Sequence, residues 1–171
     1  MLQFHEDRAT QAAGQLLKLS GGSTDMLKLV KLLYLLDREA LSRWGRPVTT
    51  DSYCSMEHGT VVSTIYDIMK AKREAPYWNL FIERAGNTIA LKSEPPDDQL
   101  SDAHISIIKE IWAKFGHMTA WELRNYTHSL KEWRDPGKSS LPIQIEEILS
   151  AVGWDEDEIL ATIEDLRALQ P

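Results

Sequence analysis

The chain has 171 residues, of which 43% are hydrophobic and 26% charged, and its formal net charge is -7. This length fits one domain, and this balance of residues is typical of a globular protein rather than a disordered one. The single cysteine, Cys54, excludes an intramolecular disulfide and a cysteine-based zinc ribbon, and it fits a reducing compartment. Residues 1–7 contain neither a basic nor an apolar segment, so no signal peptide is predicted. We therefore expect a single cytoplasmic domain over residues 1–171.

The charge is unevenly distributed along the chain. Residues 1–92 hold 12 Lys/Arg against 10 Asp/Glu, whereas residues 93–171 hold 7 against 16. An acidic half repels phosphate backbones, which argues against general nucleic-acid binding. It fits a basic protein partner, although a solvated acidic surface that aids solubility is the more common reason for such a composition.

The longest apolar stretch covers residues 26–36, where only two lysines interrupt the hydrophobic residues. Because the stretch is apolar nearly all round, it predicts a helix buried on several faces, with Leu33 and Leu36 in the core. It is too short to span a bilayer, which requires about 20 apolar residues. We expect this helix to begin at a Ser23 cap and to end at Gly-Arg-Pro, residues 45–47.

The rest of the chain predicts further helices and one β-hairpin. The hairpin is predicted from two segments, 77–83 and 88–91, that flank a Gly-Asn turn. Because an isolated hairpin is marginally stable, it should pack on the helices, with segment 53–56 as a candidate third strand. The expected fold class is mainly α (α+β), a multi-helix domain with a small antiparallel sheet packed on one side. Apolar residues at helical spacing place the other helices at 5–19, 60–72, 101–115, 119–128, 142–152 and 156–169.

Residues that could carry chemistry are present, but they form no known catalytic pattern. The five histidines lack HExxH spacing, no nucleophile elbow surrounds a serine or the cysteine, and no glycines form a phosphate-binding loop. Helix caps or ion pairs are the favoured roles of the carboxylates. The helix predicted at 119–128 could be mistaken for a DNA-recognition helix, but Arg124 is its only Lys or Arg. The residues favour a binding module over an enzyme, with no metal and no cofactor.

Three groups of residues, taken in order, carry a resemblance to a known family. They are KLLYLLD (31–37) with WGRPVT (44–49) and DSY (51–53); EHGTV (57–61) with IYD (65–67); and WELRNYTH (121–128) with EW (132–133). Together they resemble the Panacea domain, the antitoxin domain typified by SocA-like antitoxins and also found in phage-associated proteins of the GepA type. The resemblance covers residues 5–150, and the acidic helix at 155–170 lies beyond it. The chain departs from the pattern at Thr50 and Thr60, where the family has Gly and Pro.

The resemblance implies an antitoxin of a toxin–antitoxin system that neutralises its cognate toxin by direct protein contact and makes or breaks no bond itself. It leaves open whether the toxin is blocked or is delivered to an AAA+ protease by a proteolytic adaptor. The motif residues expected to define the fold are Tyr34, Asp37, Gly45, Pro47, Tyr53, Gly59, Tyr66 and Trp133. The polar residues expected to contact the partner are His58, Asp67, Thr127 and His128.

Two other functions remain as alternatives. One is a nucleic-acid-binding regulator of the chain's own operon, against which the negative charge argues. The other is a hydrolase that uses His58, His128 and Asp67 in one cleft. No oligomeric state is predicted.

Overall fold

The computed structural model describes residues 2–171. Within these residues the helices are α1 (Glu6–Leu19), α2 (Met26–Trp44), α3 (Ser63–Met69), α4 (Pro76–Phe81), α5 (Asp102–Phe115), α6 (Ala120–His128), α7 (Ile145–Ala151) and α8 (Glu156–Ala168). The strands are β1 (Ser23–Asp25), β2 (Tyr53–Met56), β3 (Gly59–Val62), β4 (Ile82–Ala85), β5 (Thr88–Leu91) and β6 (Leu141–Ile143). The predicted mainly α (α+β) fold is confirmed.

Helix α2 is the buried centre of the molecule, as its apolar sequence predicts. Leu33 and Leu36 are fully buried, and α2 packs against α1, α5, α6 and α7 as well as against strands of both sheets. The cap at its start is Asp25 rather than Ser23, since the Asp25 side chain accepts from the amides of the next turn and Ser23 pairs in β1. Gly45 ends the helix at a φ of 65°, a backbone angle that glycine adopts at little steric cost.

The predicted hairpin forms, but its first strand is shorter and its sheet partner is different. Residues 76–81 form α4, because Pro76 suits the first turn of a helix and the Trp78 side chain is buried. The strand therefore begins at Ile82, and the antiparallel sheet has the order β1-β5-β4. Segment 53–56, the candidate third strand, instead forms the centre of a second antiparallel sheet of order β3-β2-β6.

Two predicted helices begin later in the structure than in the sequence analysis. Residues 60–62 were predicted as the start of a helix but belong to β3, where the β-branched side chains of Thr60, Val61 and Val62 favour extended backbone. Pro142 was predicted in the first turn of a helix but lies in β6, a strand at the edge of its sheet where its missing N–H is tolerated. Within residues 2–171, no helix is both long enough and apolar enough to cross a membrane.

Candidate functional site

The loop after α2 is held by the buried carboxylate of Asp37. Asp37 is fully buried and accepts from the amides of Val48 (2.8 Å) and Thr49 (2.9 Å), the Thr49 hydroxyl and the Tyr53 hydroxyl (2.8 Å). Burial raises the pKa of Asp37 to about 6, and the hydrogen bonds from Thr49 and Tyr53 oppose that rise. This one side chain therefore ties α2 to its exit loop and to β2.

A second buried contact ties α2 to the segment after α6. Glu132 is 5% exposed and accepts from the Tyr34 hydroxyl (2.8 Å) and from Nε of Arg38 (2.6 Å). Burial raises the pKa of Tyr34 well above its ordinary value, so its phenol remains a donor. The hydrogen bonds from Tyr34 and Arg38 to Glu132 fix the position of the chain just before Trp133.

The β2–β3 hairpin is anchored by Asp51 at one end and by α6 at the other. The Asp51 carboxylate accepts from the amides of Thr64 (2.8 Å) and Ile65 (2.9 Å) and so caps α3 from a distance. At the other end, the turn carries the exposed Glu57 and His58, and the Glu57 carbonyl lies 3.0 Å from Nε2 of His128. The hairpin is therefore fixed against α6 at its turn.

Around this turn, aromatic and basic side chains form a patch that we call the α6 surface, in which two residues are exposed and three are half-buried. It is defined by Trp121, Arg124, His128, Trp133 and His58. Trp121 is 62% exposed, and the Arg124 guanidinium lies 4.4 Å from the centre of its ring. His128 stacks on Trp133 with ring centres 4.1 Å apart, and the Trp133 indole N–H donates to the carbonyl of Met56 (3.2 Å). The patch thus combines residues from α6, the segment after it and the β2–β3 turn.

Behind the α6 surface lies a fully buried lysine, Lys31 of α2. Among residues 2–171 its Nζ has no hydrogen-bond partner. A Cβ added to Gly59 would lie 3.0 Å from this Nζ and 2.2 Å from Oγ1 of Thr127, so both atoms converge on Gly59. Burial, and after it the positive charge of Arg124, lowers the pKa of Lys31 to about 8. Lys31 is therefore a buried basic group that forms no ion pair with the described residues.

On another part of the molecule, a groove of about 580 Å³ lies between α3, β2, β6 and α8. Asp67 is exposed and lines this groove together with Tyr66 and Cys54. Neither His58 nor His128 lines it. The three residues of the hydrolase alternative therefore do not lie together in this cleft. Within residues 2–171, no cluster of three or more His, Cys, Asp or Glu side chains is arranged to hold a metal ion.

The four residues predicted to contact a partner thus occupy three kinds of position. His58 is exposed, His128 is partly exposed on the α6 surface, and Asp67 lies in the groove. Thr127 is fully buried, and its hydroxyl donates to the carbonyl of Arg124 (3.0 Å).

Sequence reasoning missed Lys31, Trp121 and Arg124 as site residues. A signal for the last two was present, because positions three apart on a helix are neighbours on its surface. Lys31 stands both as a polar interruption of the apolar stretch and as the first residue of the motif at 31–37, and neither observation predicts a site residue.

Of the motif residues expected to define the fold, Tyr66 lies within α3 and lines the groove, whereas the others lie where elements meet. Tyr34, Asp37 and Tyr53 form the buried contacts described above, with the Tyr34 and Tyr53 rings edge to face at 5.7 Å. Gly45 packs against Thr162 of α8, whose methyl would lie 2.8 Å from a Cβ added there. Pro47 is buried in the exit loop that Asp37 holds.

Comparison with known families gives a match over the centre of the chain. A family model described as antitoxin SocA-like, Panacea domain, matches residues 29–134, which is more than half of the chain. No match was found among curated proteins or among solved structures. The match is narrower than the resemblance over residues 5–150: it omits α1 and everything after residue 134, but it contains the whole α6 surface and Lys31.

Proposed function

Since the chain belongs to the SocA-like Panacea antitoxin family, we propose that it neutralises a cognate toxin by direct protein–protein binding through the α6 surface. The observation that carries this proposal is the large exposed indole of Trp121, flanked by Arg124 on the same helix. Trp and Arg are enriched among the residues that contribute most to binding energy at protein interfaces. The β2–β3 turn and Trp133 add a stacked, hydrogen-bonded rim to the same patch.

Each of the predicted contact residues has a place in this proposal. His58 and His128 contact the toxin directly from the α6 surface, and Thr127 supports that surface from behind. Asp67 is a candidate second contact, because it is exposed at the groove, which is large enough to accept side chains of a partner.

The cytoplasm is the compartment we propose for this interaction, since the only cysteine forms no disulfide within the chain. Neutralisation there can proceed in two ways, by blocking the toxin or by delivering it to an AAA+ protease. The two are distinguished by the lifetime of the toxin in cells that express both proteins. Blocking leaves the toxin present and inactive, whereas delivery shortens its half-life and requires an intact protease.

Growth rescue tests the proposal directly. The reading frame next to this gene is expressed alone, where it should arrest growth, and then with this chain, where growth should recover. Trp121→Ala should abolish the recovery, because it removes the largest exposed contact of the patch. Leu80→Ala is the matched control, since Leu80 is equally exposed (62%) but lies outside the α6 surface.

Two results would argue against this function. If no neighbouring reading frame is toxic, the antitoxin role itself fails. If Leu80→Ala and Trp121→Ala rescue growth equally well, the antitoxin role stands but the α6 surface is not its binding site. Tight, sequence-selective binding to operator DNA in a gel shift at moderate salt would favour the regulator alternative instead.

A further inference from the structure

Three basic side chains lie near one another at the α6 surface, and the charge of Asp135 acts on one of them, His128. They are Lys31 of α2 and the two α6 residues Arg124 and His128. Among residues 2–171 none of them forms an ion pair, and both Nζ of Lys31 and Nε of Arg124 are buried without a hydrogen-bond partner. Burial, and after it the positive charge of Arg124, lowers the pKa of both Lys31 and His128, while the hydrogen bond to the Glu57 carbonyl and the charge of Asp135 oppose the shift of His128.

The other buried charged side chains of α2 and its exit loop, unlike Lys31, form hydrogen bonds or ion pairs within the chain. Asp37 and Asp51 each accept several hydrogen bonds, and Arg38 is paired with Glu132. A buried charge without a partner is destabilising, because burial removes its hydration and nothing replaces it. An uncharged side chain of similar length, such as methionine, would fill the space of Lys31 in this buried helix without that penalty.

We propose that the toxin places a carboxylate side chain, from Asp or Glu, against Arg124 and His128 on the α6 surface, with the ammonium of Lys31 stabilising it from behind. This inference rests on the proposed function and specifies the chemistry of the partner. Arg124 and His128 contact the carboxylate, and Lys31 is a positioning residue that acts through the electrostatic field, which is strong at short range in a protein interior. Trp121 shields the contact from water on one side.

A protein carboxylate fits this patch better than a nucleic-acid phosphate. A duplex presents a row of phosphates and is bound by several basic side chains spread along it. Helix α6, by contrast, carries one Lys or Arg in nine residues. The acidic segment 135–171, with nine Asp/Glu against two Lys/Arg, would also repel an extended phosphate backbone. Binding a single anionic side chain beside an exposed indole requires neither a row of basic residues nor an extended interface.

The test compares two charge-removing variants with a matched control. Lys31→Met keeps the length of the side chain and removes the charge, and Arg124→Gln removes the partly buried charge of Arg124. Lys109→Met is the control, because Lys109 is an exposed lysine of α5. The probe is the purified product of the neighbouring toxic reading frame, its affinity is measured by calorimetry at about 50 mM and about 300 mM NaCl, and the unfolding temperature of each variant is recorded.

Lys31→Met should unfold at a higher temperature than the wild type and yet bind the toxin at least about tenfold more weakly at low salt. Arg124→Gln should also bind at least about tenfold more weakly, and for both variants the difference from wild type should shrink at high salt. Lys109→Met should bind within about twofold of wild type, as expected for an exposed charge outside the contact. A merely structural role for Lys31 would give a less stable variant and no change in salt dependence.

The outcomes separate this inference from the proposed function. If wild type does not bind the toxin, the proposed function fails. If wild type binds and both Lys31→Met and Arg124→Gln bind equally well, the carboxylate contact is wrong and the antitoxin role remains. The inference is also overturned if Lys31→Met loses both stability and affinity while Arg124→Gln binds normally. The inference is overturned too if duplex DNA or a second copy of this chain, rather than the toxin, is the partner whose binding depends on the charges of Lys31 and Arg124.

Discussion

Two buried carboxylates organise the path of the chain between α2 and α3. Asp37 collects donors from residues 48, 49 and 53, and Asp51 caps α3 through the amides of residues 64 and 65. Because each carboxylate binds more than one segment, removing either one releases a loop and its neighbouring element together. The α6 surface depends on both, since they fix the hairpin whose turn forms its edge.

The raised pKa of Asp37 predicts a specific pH dependence of stability. Because its folded pKa of about 6 lies above the unfolded value of about 3.9, the folded state binds this proton more tightly. Its stabilising contribution is therefore full below about pH 4 and is lost as the pH rises through about 6, a loss of about 3 kcal/mol by pH 7.

The variant Asp37→Asn, which is neutral at every pH, should lack this loss. Urea unfolding of wild type and Asp37→Asn between about pH 4 and pH 7 measures the difference directly, because Asp51 and the other groups are common to both. If the free energy of unfolding changes with pH in the same way for both proteins, the hydrogen bonds to Asp37 offset the effect of burial on its pKa, which would contradict this prediction.

At the scale of elements, the β2–β3 hairpin and α6 are joined through Gly59. Gly59 has a φ of 102°, and a Cβ there would lie 2.2 Å from Oγ1 of Thr127. The close approach of the strand to α6 and to Lys31 thus depends on the absence of a side chain at this position.

Gly59→Ala should lower the free energy of unfolding by about 2–4 kcal/mol, since it combines backbone strain with a steric clash against α6. Gly153→Ala is the matched control, because Gly153 has nearly the same positive φ, 98°, but has nothing within 4 Å of an added Cβ. It should cost only about 1–2 kcal/mol. Denaturant unfolding of both variants separates the two effects, and equal losses would remove the clash from the explanation.

Elements whose determining residues lie close together in the sequence could be predicted, whereas those that depend on distant residues could not. Helix α2 and the helix at 119–128 were predicted from patterns within one segment, and in the structure Thr119 and Glu122 form a capping box at the start of α6. Residues 60–62 were misassigned to a helix because three β-branched residues fit either element until their partner strand is known. The Asp51 cap and the surroundings of Lys31 depend on residues far apart in the chain, so no local pattern contained them.

At the scale of the whole molecule, the charge of the chain is divided between two regions. The family-matched residues 29–134 hold 14 Lys/Arg and 14 Asp/Glu, whereas residues 135–171 hold two and nine. The acidic segment includes α8, which is held by the Trp154 indole donating to the Ser42 carbonyl (3.2 Å) and by Thr162 against Gly45. A partner that carries an acidic side chain for the α6 surface and a basic face for α8 would therefore bind in one orientation.

Hydrogen–deuterium exchange of this chain, free and in complex with the product of the neighbouring toxic reading frame, tests the central claim most directly. The complex should slow amide exchange in residues 56–59 and 120–134, where the β2–β3 turn, α6 and Trp133 form the α6 surface, because a bound partner excludes water and suppresses local opening there. Protection confined to the groove between α3, β6 and α8, or no protection in a complex shown to be formed, would contradict binding through the α6 surface.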